Sequence, residues 1–161
     1  MNFILPEARP FSFTSRPIPV PGDLRINWRV ALILAMLGGS RARRASLAKL
    51  HVLNYAARSA RARLVLDRVL SGDEPALNWH MRVEPAFGRA LDFVVGEQFA
   101  GWTKVRQRAG LQLTEAGITA WQRINEQTDV LVEEKEFLQN FGRRITEGFV
   151  VNLLHTRRRD G

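Results

Sequence analysis

The stretch from residue 99 to residue 117 reads Phe99-Ala100-Gly101-Trp102-Thr103-Lys104-Val105-Arg106-Gln107-Arg108-Ala109-Gly110-Leu111-Gln112-Leu113-Thr114-Glu115-Ala116-Gly117. Its first part is strand-like from Phe99 to Gln107, and the turn-like Arg108-Ala109-Gly110 follows. Leu111-Gln112-Leu113 then predicts a short returning strand. Because Thr114 is a good helix cap, we expect a helix from Glu115 to Ile124. The stretch therefore predicts a β-hairpin followed at once by a capped helix.

Four helical segments are expected before this hairpin. The first ends at Gly38-Gly39, and the second and third begin after the capping residues Ser46 and Ser59. The fourth begins at Pro85, which suits the first position of a helix. Before it, the loosely alternating Leu77 to Val83 predicts a short strand. The apolar stripes of the four helices are Ile26, Val30, Ile33 and Leu37; Leu47, Leu50, Leu53 and Ala57; Ala62, Leu66, Val69 and Leu70; and Phe87, Ala90, Leu91, Val94 and Val95.

The order of these elements indicates the fold class. A helix, a β-hairpin and a capped helix in succession match the end of a winged helix-turn-helix domain. The string from Leu111 to Gly117 resembles the L-x-L-T-x-x-G sequence that closes the wing in many such domains, and Gly117 allows a close approach to a neighbouring element. We therefore predict a mainly α-helical fold with a small β-hairpin, in which residues 23–127 form a winged helix-turn-helix core.

Residues 1–22 predict an extended, proline-rich arm. Five prolines lie here, and proline disfavours helix both at its own position and at the residue before it. Apolar residues, including Phe11 and Phe13, are interleaved with the prolines. Because so apolar an arm is poorly suited to free solution, we expect it either to wrap its own domain or to dock as an extended segment on a partner.

Residues 128–161 predict a C-terminal segment of amphipathic helices. Thr128-Asp129 offers a helix cap, while Gly142 and Thr146 divide the segment into two pieces. A long amphipathic helix outside the core is typical of an element that forms a homodimer or docks on a partner; the alternative is that it folds back on the core. Its apolar residues are Leu131, Leu138, Phe141, Ile145 and Phe149.

The bulk composition indicates the class of partner and the compartment. The length of 161 residues suits one domain with an arm, and the formal net charge of +8 favours polyanions or acidic protein surfaces. There is no cysteine, which favours a reducing cytoplasm. We find neither a signal peptide nor an apolar run long enough to cross a bilayer, so we expect a cytoplasmic protein without membrane contact.

No motif in the sequence predicts catalysis. His51, His80 and His155 are scattered and lack the spacing of metal ligands. Asp129 with Glu133-Glu134-Lys135 superficially resembles the carboxylate–lysine set of metal-dependent nucleases. Those carboxylates must converge from neighbouring strands, whereas here they fall on one exposed helical turn. We therefore expect a protein that is not an enzyme and that has neither a metal site nor a cofactor.

The fourth predicted helix is poorly suited to reading DNA. In a winged helix it occupies the position that enters the major groove. The segment has a net charge of about −2, because it contains three acidic residues, Glu84, Asp92 and Glu97, and one basic residue, Arg89. Since phosphates would repel an acidic helix, sequence-specific reading by this helix is disfavoured.

The basic residues lie elsewhere in the sequence. Lys104, Arg106 and Arg108 alternate, so we expect them to point to one face of the hairpin. Such residues can grip a phosphate backbone without sequence preference, can contact an acidic protein, or can form a solvated strand face. The predicted nucleic-acid-binding residues are Lys104, Arg106 and Arg108 in the wing, Arg41, Arg43 and Arg44 in a loop, and Arg61 and Arg68 on the third helix.

Four strings together resemble a known family. They are Pro19-Val20-Pro21-Gly22-Asp23-Leu24-Arg25, His51-Val52-Leu53-Asn54-Tyr55-Ala56-Ala57-Arg58-Ser59, Leu113-Thr114-Glu115-Ala116-Gly117, and Asp129-Val130-Leu131-Val132-Glu133-Glu134-Lys135-Glu136-Phe137-Leu138. They resemble the middle component of bacterial ABC-three-component systems, and the resemblance spans Arg16 to Leu154. None of the four strings is a catalytic signature.

The resemblance implies a small accessory subunit without catalytic activity. Such a subunit acts beside an SMC/Rad50-like ABC ATPase and an effector, often a nuclease, in anti-phage or anti-plasmid defence of the Lamassu kind. With it we expect non-specific contact with double-stranded DNA; the alternative is a winged-helix DNA-binding transcriptional regulator. The predicted partner-binding residues are Phe11, Phe13, Arg89, Phe93, Leu131, Leu138 and Phe149.

Overall fold

The computed structural model describes residues 22–155, with side chains from Arg25 onward. Within this range the chain is mainly α-helical, with a small three-stranded antiparallel sheet, as predicted for its class. The elements are α1 (Gly22–Gly38), β1 (Arg44–Ser46), α2 (Leu47–Arg58), α3 (Ala60–Ser71), α4 (Pro85–Gly96), β2 (Ala100–Val105), β3 (Arg108–Leu113), α5 (Glu115–Glu126), α6 (Val132–Phe141) and α7 (Glu147–His155). The proposed arm, including Phe11 and Phe13, lies outside the described residues apart from Gly22. None of the helices described is long and apolar enough to cross a membrane.

The helix starts predicted from local chemistry are confirmed. The hydroxyls of Ser46, Ser59 and Thr114 each accept a hydrogen bond from a backbone N–H three residues later, at 3.1 to 3.2 Å. Pro85 occupies the first turn of α4. These caps satisfy N–H groups that have no partner within the helix. The predicted stripes of α1, α2 and α4 face one common core, which includes Ile33, Leu50, Leu53, Phe87 and Val94.

The sheet contains a strand that the sequence did not predict. β1 pairs antiparallel with β3, and β3 pairs antiparallel with β2, so the order across the sheet is β1-β3-β2. β1 is only three residues long, and its middle residue, Ala45, is buried opposite Leu111. So short a segment has no periodicity to reveal it in the sequence.

The hairpin turn lies two residues earlier than predicted. Val105 pairs with Arg108, so the loop consists of Arg106 and Gln107, whose φ angles are 48° and 64°. Gly110, which suggested a turn, is instead part of β3 opposite Thr103. A Cβ at Gly110 would lie 2.5 Å from the carbonyl oxygen of Ala45. This glycine therefore allows two strands to approach closely and does not make the turn.

The prediction of a short strand from Leu77 to Val83 is wrong. Its beginning is part of a single 3-10 turn, Ala76–Asn78, and the remaining residues form no ladder. A strand would bury alternate residues, but Leu77 and Val83 are exposed and only Trp79 is fully buried. The Trp79 ring packs edge-on against Tyr55 with centroids 5.6 Å apart. The segment thus packs on the core through this inserted ring, with Ala76 and Met81 partly buried against the same core.

Gly117 has the role that its position predicted. A Cβ at this residue would lie 1.8 Å from the carbonyl oxygen of Phe99. The backbone N–H of Thr114 donates a hydrogen bond to the same oxygen at 3.0 Å. The first turn of α5 is therefore packed directly against the backbone at the start of β2.

The C-terminal segment folds back on the core, which was the second of the two alternatives. Leu131 and Leu138, predicted as partner-binding, are only 6% and 9% exposed, and Phe149 packs half-buried against the same core. Inside this chain they are therefore covered and do not form a free surface. The division of the segment is confirmed, because α6 ends at Phe141 and α7 begins at Glu147.

The predicted cap at Thr128-Asp129 is wrong. α6 begins at Val132, after Leu131 in a left-handed conformation with φ of 53°. The Leu131 side chain is buried, and its carbonyl accepts the first helical hydrogen bond from Lys135 at 2.8 Å. The residue before α6 is thus a buried leucine, and no side-chain hydrogen bond caps this helix.

Candidate anion-binding cleft

A cleft of about 1040 Å³ lies where three parts of the fold meet. One part is the end of α1 with the following loop, β1 and the start of α2; the second is the hairpin turn; the third comprises α5, α6 and the segment up to the start of α7. Among the described residues, six cationic side chains and one carboxylate line it. They are Arg41, Arg44, Lys49, Arg106, Lys135 and Arg143, together with Glu147. Such an excess of one sign of charge in a concave surface focuses a positive potential that attracts anions.

The four arginines of the cleft form an exposed rim, which we call the arginine rim: Arg41, Arg44, Arg106 and Arg143. Among residues 22–155, no carboxylate lies in ion-pair contact with any of them. Elsewhere in that range, carboxylates neutralise several arginines: Arg29 and Arg58 pair with Glu84, Arg63 with Glu133, Arg68 with Glu74, and Arg144 with Asp67. The rim guanidinium groups thus keep their hydrogen-bond donors available for a ligand.

Trp121 closes one end of the cleft. Its indole lies directly over Gly38, where a Cβ would be 2.3 Å from the ring. The Arg43 guanidinium carbon lies 5.6 Å from the centre of the same ring, which is cation–π geometry. Arg43, predicted as a nucleic-acid ligand, is therefore held beside the cleft in an adjoining depression.

A buried lysine forms the floor of the cleft. Lys49 is only 6% exposed, and burial lowers the pKa of its ammonium below the usual 10.5, while the charge of Glu147 opposes that change. Both Glu147 carboxylate oxygens accept hydrogen bonds from Ser46, one from its backbone N–H at 3.0 Å and one from its hydroxyl at 2.6 Å. Ser46 thus ties the start of α7 to the start of α2, beside Lys49.

The structure separates the three wing residues that were expected on one face. In the observed register Lys104 pairs with Ala109, whereas Arg108 pairs with Val105. Since neighbouring residues of a strand point to opposite faces, Lys104 and Arg108 lie on opposite sides of the sheet. Arg106 is in the turn itself and reaches the cleft, while Arg108 contacts the His155 ring at 3.1 Å. The one-face prediction fails because it depended on the misplaced turn.

Of the predicted nucleic-acid residues, Arg41, Arg44 and Arg106 come together in the cleft. Arg61 and Arg68 do not, because both lie on α3, where Arg68 pairs with Glu74 at 3.0 Å. The sequence reasoning missed Lys49, Lys135 and Arg143. Lys135 and Arg143 reach the cleft because the C-terminal segment folds back on the core, and Lys49 lies on α2 beside the start of α7.

α4 is separate from the cleft, since none of the lining residues belongs to it. Arg89, Asp92 and Phe93 are exposed, as expected for the outward side of this helix. Glu84, just before α4, is neutralised by Arg29 at 3.0 Å and by Arg58, so the acidity at this surface comes from Asp92 and Glu97. The exposed side of α4 therefore presents a single cation, Arg89.

The described residues include no cluster of three or more histidine, aspartate, glutamate or cysteine side chains that could hold a metal. His51 is half-buried, with its ring edge-on to Phe87 at 5.1 Å, and desolvation lowers the pKa of its imidazole. Within the nuclease-like set, Asp129 and Glu133 are exposed, and Lys135 donates to the carbonyl of Gln127. These side chains do not converge on a common point.

In comparisons with protein-family models, curated proteins and solved structures, nothing matches this chain.

Replacing Lys49 by Met should change how stability depends on pH. The unfolded chain holds the lysine proton up to its usual pKa, whereas the folded chain releases it at lower pH. The free energy of unfolding should therefore rise with pH between the lowered pKa and about 10.5. Lys49→Met should abolish that rise and, at neutral pH, stabilise the fold by about 1 kcal/mol.

Urea unfolding of both proteins from pH 7 to pH 10.5 tests this prediction. Lys104→Met is the matched control, because it makes the same substitution at an exposed lysine. Parallel pH curves for the original chain and Lys49→Met would show that the buried ammonium carries no such penalty.

Proposed function

We propose that this chain is a non-catalytic accessory subunit that holds the phosphate backbone of double-stranded DNA without reading its sequence. The observation that carries this proposal is the arginine rim: four exposed guanidinium groups around one cleft, with no carboxylate in ion-pair contact among the described residues. Arginine binds phosphate oxygens through two parallel hydrogen bonds, and such contacts position a protein on DNA without reporting the base sequence.

Winged-helix architecture is part of the proposal. In support of it, β1 lies between α1 and α2, α4 precedes the β2–β3 hairpin, and the sheet order is β1-β3-β2. In this architecture α4 corresponds to the helix that reads the major groove. Its exposed side offers Arg89 beside Asp92 and Phe93, which is a poor set of donors for base edges.

Duplex binding should therefore be salt-sensitive and indifferent to sequence. Fluorescence anisotropy with several unrelated 20-base-pair duplexes, each titrated at several salt concentrations, measures both properties. We expect similar affinities for all the duplexes and a linear fall of log K with log salt, because bound phosphates release counterions. No binding, or a marked preference for one duplex, would contradict the proposal.

As the assembly in which the chain acts, we propose a cytoplasmic complex with an SMC/Rad50-like ABC ATPase and an effector, as the sequence resemblance implies. The lack of cysteine in the 161 residues suits that compartment. Affinity purification of the chain from its native host should recover a large ATPase. Recovery of the chain alone would count against this assembly and would leave the DNA contact as a separate question.

The second candidate is a winged-helix transcriptional regulator. The exposed Arg89 on α4 favours it, because arginine is the commonest reader of guanine in the major groove. A genome-wide binding experiment separates the two candidates. A regulator would give a few sharp motifs, whereas the accessory subunit should give a featureless profile.

A further inference from the structure

Backbone binding at the arginine rim leaves the floor of the cleft unexplained. Lys49 is more than nine-tenths buried as a residue and lines the cleft, yet within residues 25–155 no carboxylate lies within 4.0 Å of its ammonium. The ammonium nitrogen itself is not fully enclosed and is open to the cleft. Glu147 acts on it through longer-range charge, because neither carboxylate oxygen lies within 4.0 Å of the ammonium; each of these oxygens accepts a hydrogen bond from Ser46. Buried ammonium groups are ordinarily paired, since desolvation of an unpaired charge is unfavourable.

An anion in the cleft would supply the missing partner. Of the lining side chains described, only Glu147 is negative, so the cleft retains a strong positive excess around Lys49. That excess favours a compact anion with more than one charge. Asn125, Gln139 and Thr146 also line the cleft and add neutral hydrogen-bonding groups. Lysine binds phosphate as a point charge, while arginine binds it through its planar fork.

We propose that the floor of the cleft is a binding site for one phosphate group, bound by the Lys49 ammonium and by donors of the arginine rim. This inference rests on the proposed function, because it concerns the same cleft. It adds that one phosphate group reaches the floor of the cleft and contacts Lys49 there. That phosphate belongs either to a nucleic-acid backbone or to a small phosphorylated ligand, and the two sources share the recognition chemistry.

Pyrophosphate is the probe, titrated into the full chain by isothermal calorimetry at neutral pH. Lys49→Met should weaken its binding at least about tenfold, the effect of losing one charge-assisted hydrogen bond. Lys104→Met, with the same substitution at an exposed lysine, should have no effect. Equal affinity of the original chain and Lys49→Met would overturn the proposal.

Glu147→Gln tests the same site in the opposite direction. The substitution removes the one negative charge found among the described lining residues and keeps an amide that can hydrogen-bond to Ser46. Pyrophosphate affinity should rise several-fold. Because a damaged fold would lower the affinity, an increase cannot come from misfolding. Unchanged or weaker binding by a variant that unfolds in urea at the same midpoint as the original chain would overturn the proposal.

A competition experiment distinguishes the two sources of phosphate. Displacement of pyrophosphate by a mixed-sequence duplex would assign the floor to backbone phosphate, and independent binding would assign it to a small phosphorylated ligand. Both results support the phosphate site. Pyrophosphate binding without any duplex binding would overturn the proposed function alone, while duplex binding without pyrophosphate binding would overturn this inference alone.

Discussion

Replacing Arg41, Arg44 and Arg143 together by Gln should lower the affinity for duplex DNA by about 100-fold at physiological salt. The three guanidinium groups belong to the exposed rim of one cleft, and each can bind a phosphate. Because the variant neutralises three fewer phosphates, the slope of log K against log salt should become shallower by about 2.7. Fluorescence anisotropy with one duplex at several salt concentrations measures both quantities.

The matched control replaces Arg61, Arg82 and Arg89 by Gln. This variant has the same net charge, and its three arginines are exposed and outside the cleft. We expect only a small loss of affinity, because long-range charge contributes little at physiological ionic strength. An equal loss in both variants would mean that total charge, and not the cleft, governs binding. A larger loss in the control would point to α4, which carries Arg89.

Replacing Gly117 by Ala should lower the free energy of unfolding by about 3 kcal/mol, at the upper end for an overpacked site. The added methyl group would lie 1.8 Å from the Phe99 carbonyl oxygen, and backbone cannot move aside as a flexible side chain can. Relief of the clash requires α5 to separate from the start of β2, which would also strain the hydrogen bond from Thr114 to that oxygen. Urea denaturation measures the change.

Gly88→Ala is the control with the same substitution. Gly88 lies within α4, and a Cβ there would meet nothing within 4 Å. This variant should be more stable than the original chain by about 0.5 to 1 kcal/mol, because alanine is the better helix former. If Gly117→Ala were as stable as Gly88→Ala, the close packing of α5 on β2 would be disproved.

The sequence was most informative where the controlling chemistry is local. Ser46, Ser59 and Thr114 cap helices because each side chain reaches an N–H only three residues away. The apolar stripes were equally readable, since residues one helical turn apart share a face. The starts of α2, α3, α4 and α5 and the buried faces of α1, α2, α3 and α4 could therefore be predicted without knowledge of the tertiary structure.

The predictions were wrong at residues whose main contact is with a residue far away in the sequence. Gly110 resembled a turn residue, but its small size is needed for the approach of Ala45 on another strand. Trp79 suggested part of an alternating strand, although it is a single ring inserted against Tyr55. Leu131 suggested a partner surface, yet it is buried in the core of its own chain. In each case the partner is remote in sequence and cannot be read from the pattern nearby.

The cleft contains residues of both kinds: some that the sequence revealed and one that only tertiary contacts explain. Arg41 and Arg44 were recognised as basic loop residues, and Arg106 as part of the wing. Lys49 was not singled out, because on an amphipathic helix a lysine is expected to face solvent. Its burial depends on α7, whose Glu147 is joined to Ser46 across a sequence separation of 101 residues. The candidate site is therefore a product of tertiary folding.

Site-specific photo-crosslinking tests most directly whether DNA lies in the cleft or against α4. A photoreactive amino acid is placed at Gln139, an exposed residue that lines the cleft, and in a second protein at Asp92, exposed on α4. Each protein is irradiated with the same labelled duplex. The proposed function predicts a strong crosslink from Gln139 and little or none from Asp92. A strong crosslink from Asp92 with none from Gln139 would contradict it and would place the DNA on α4.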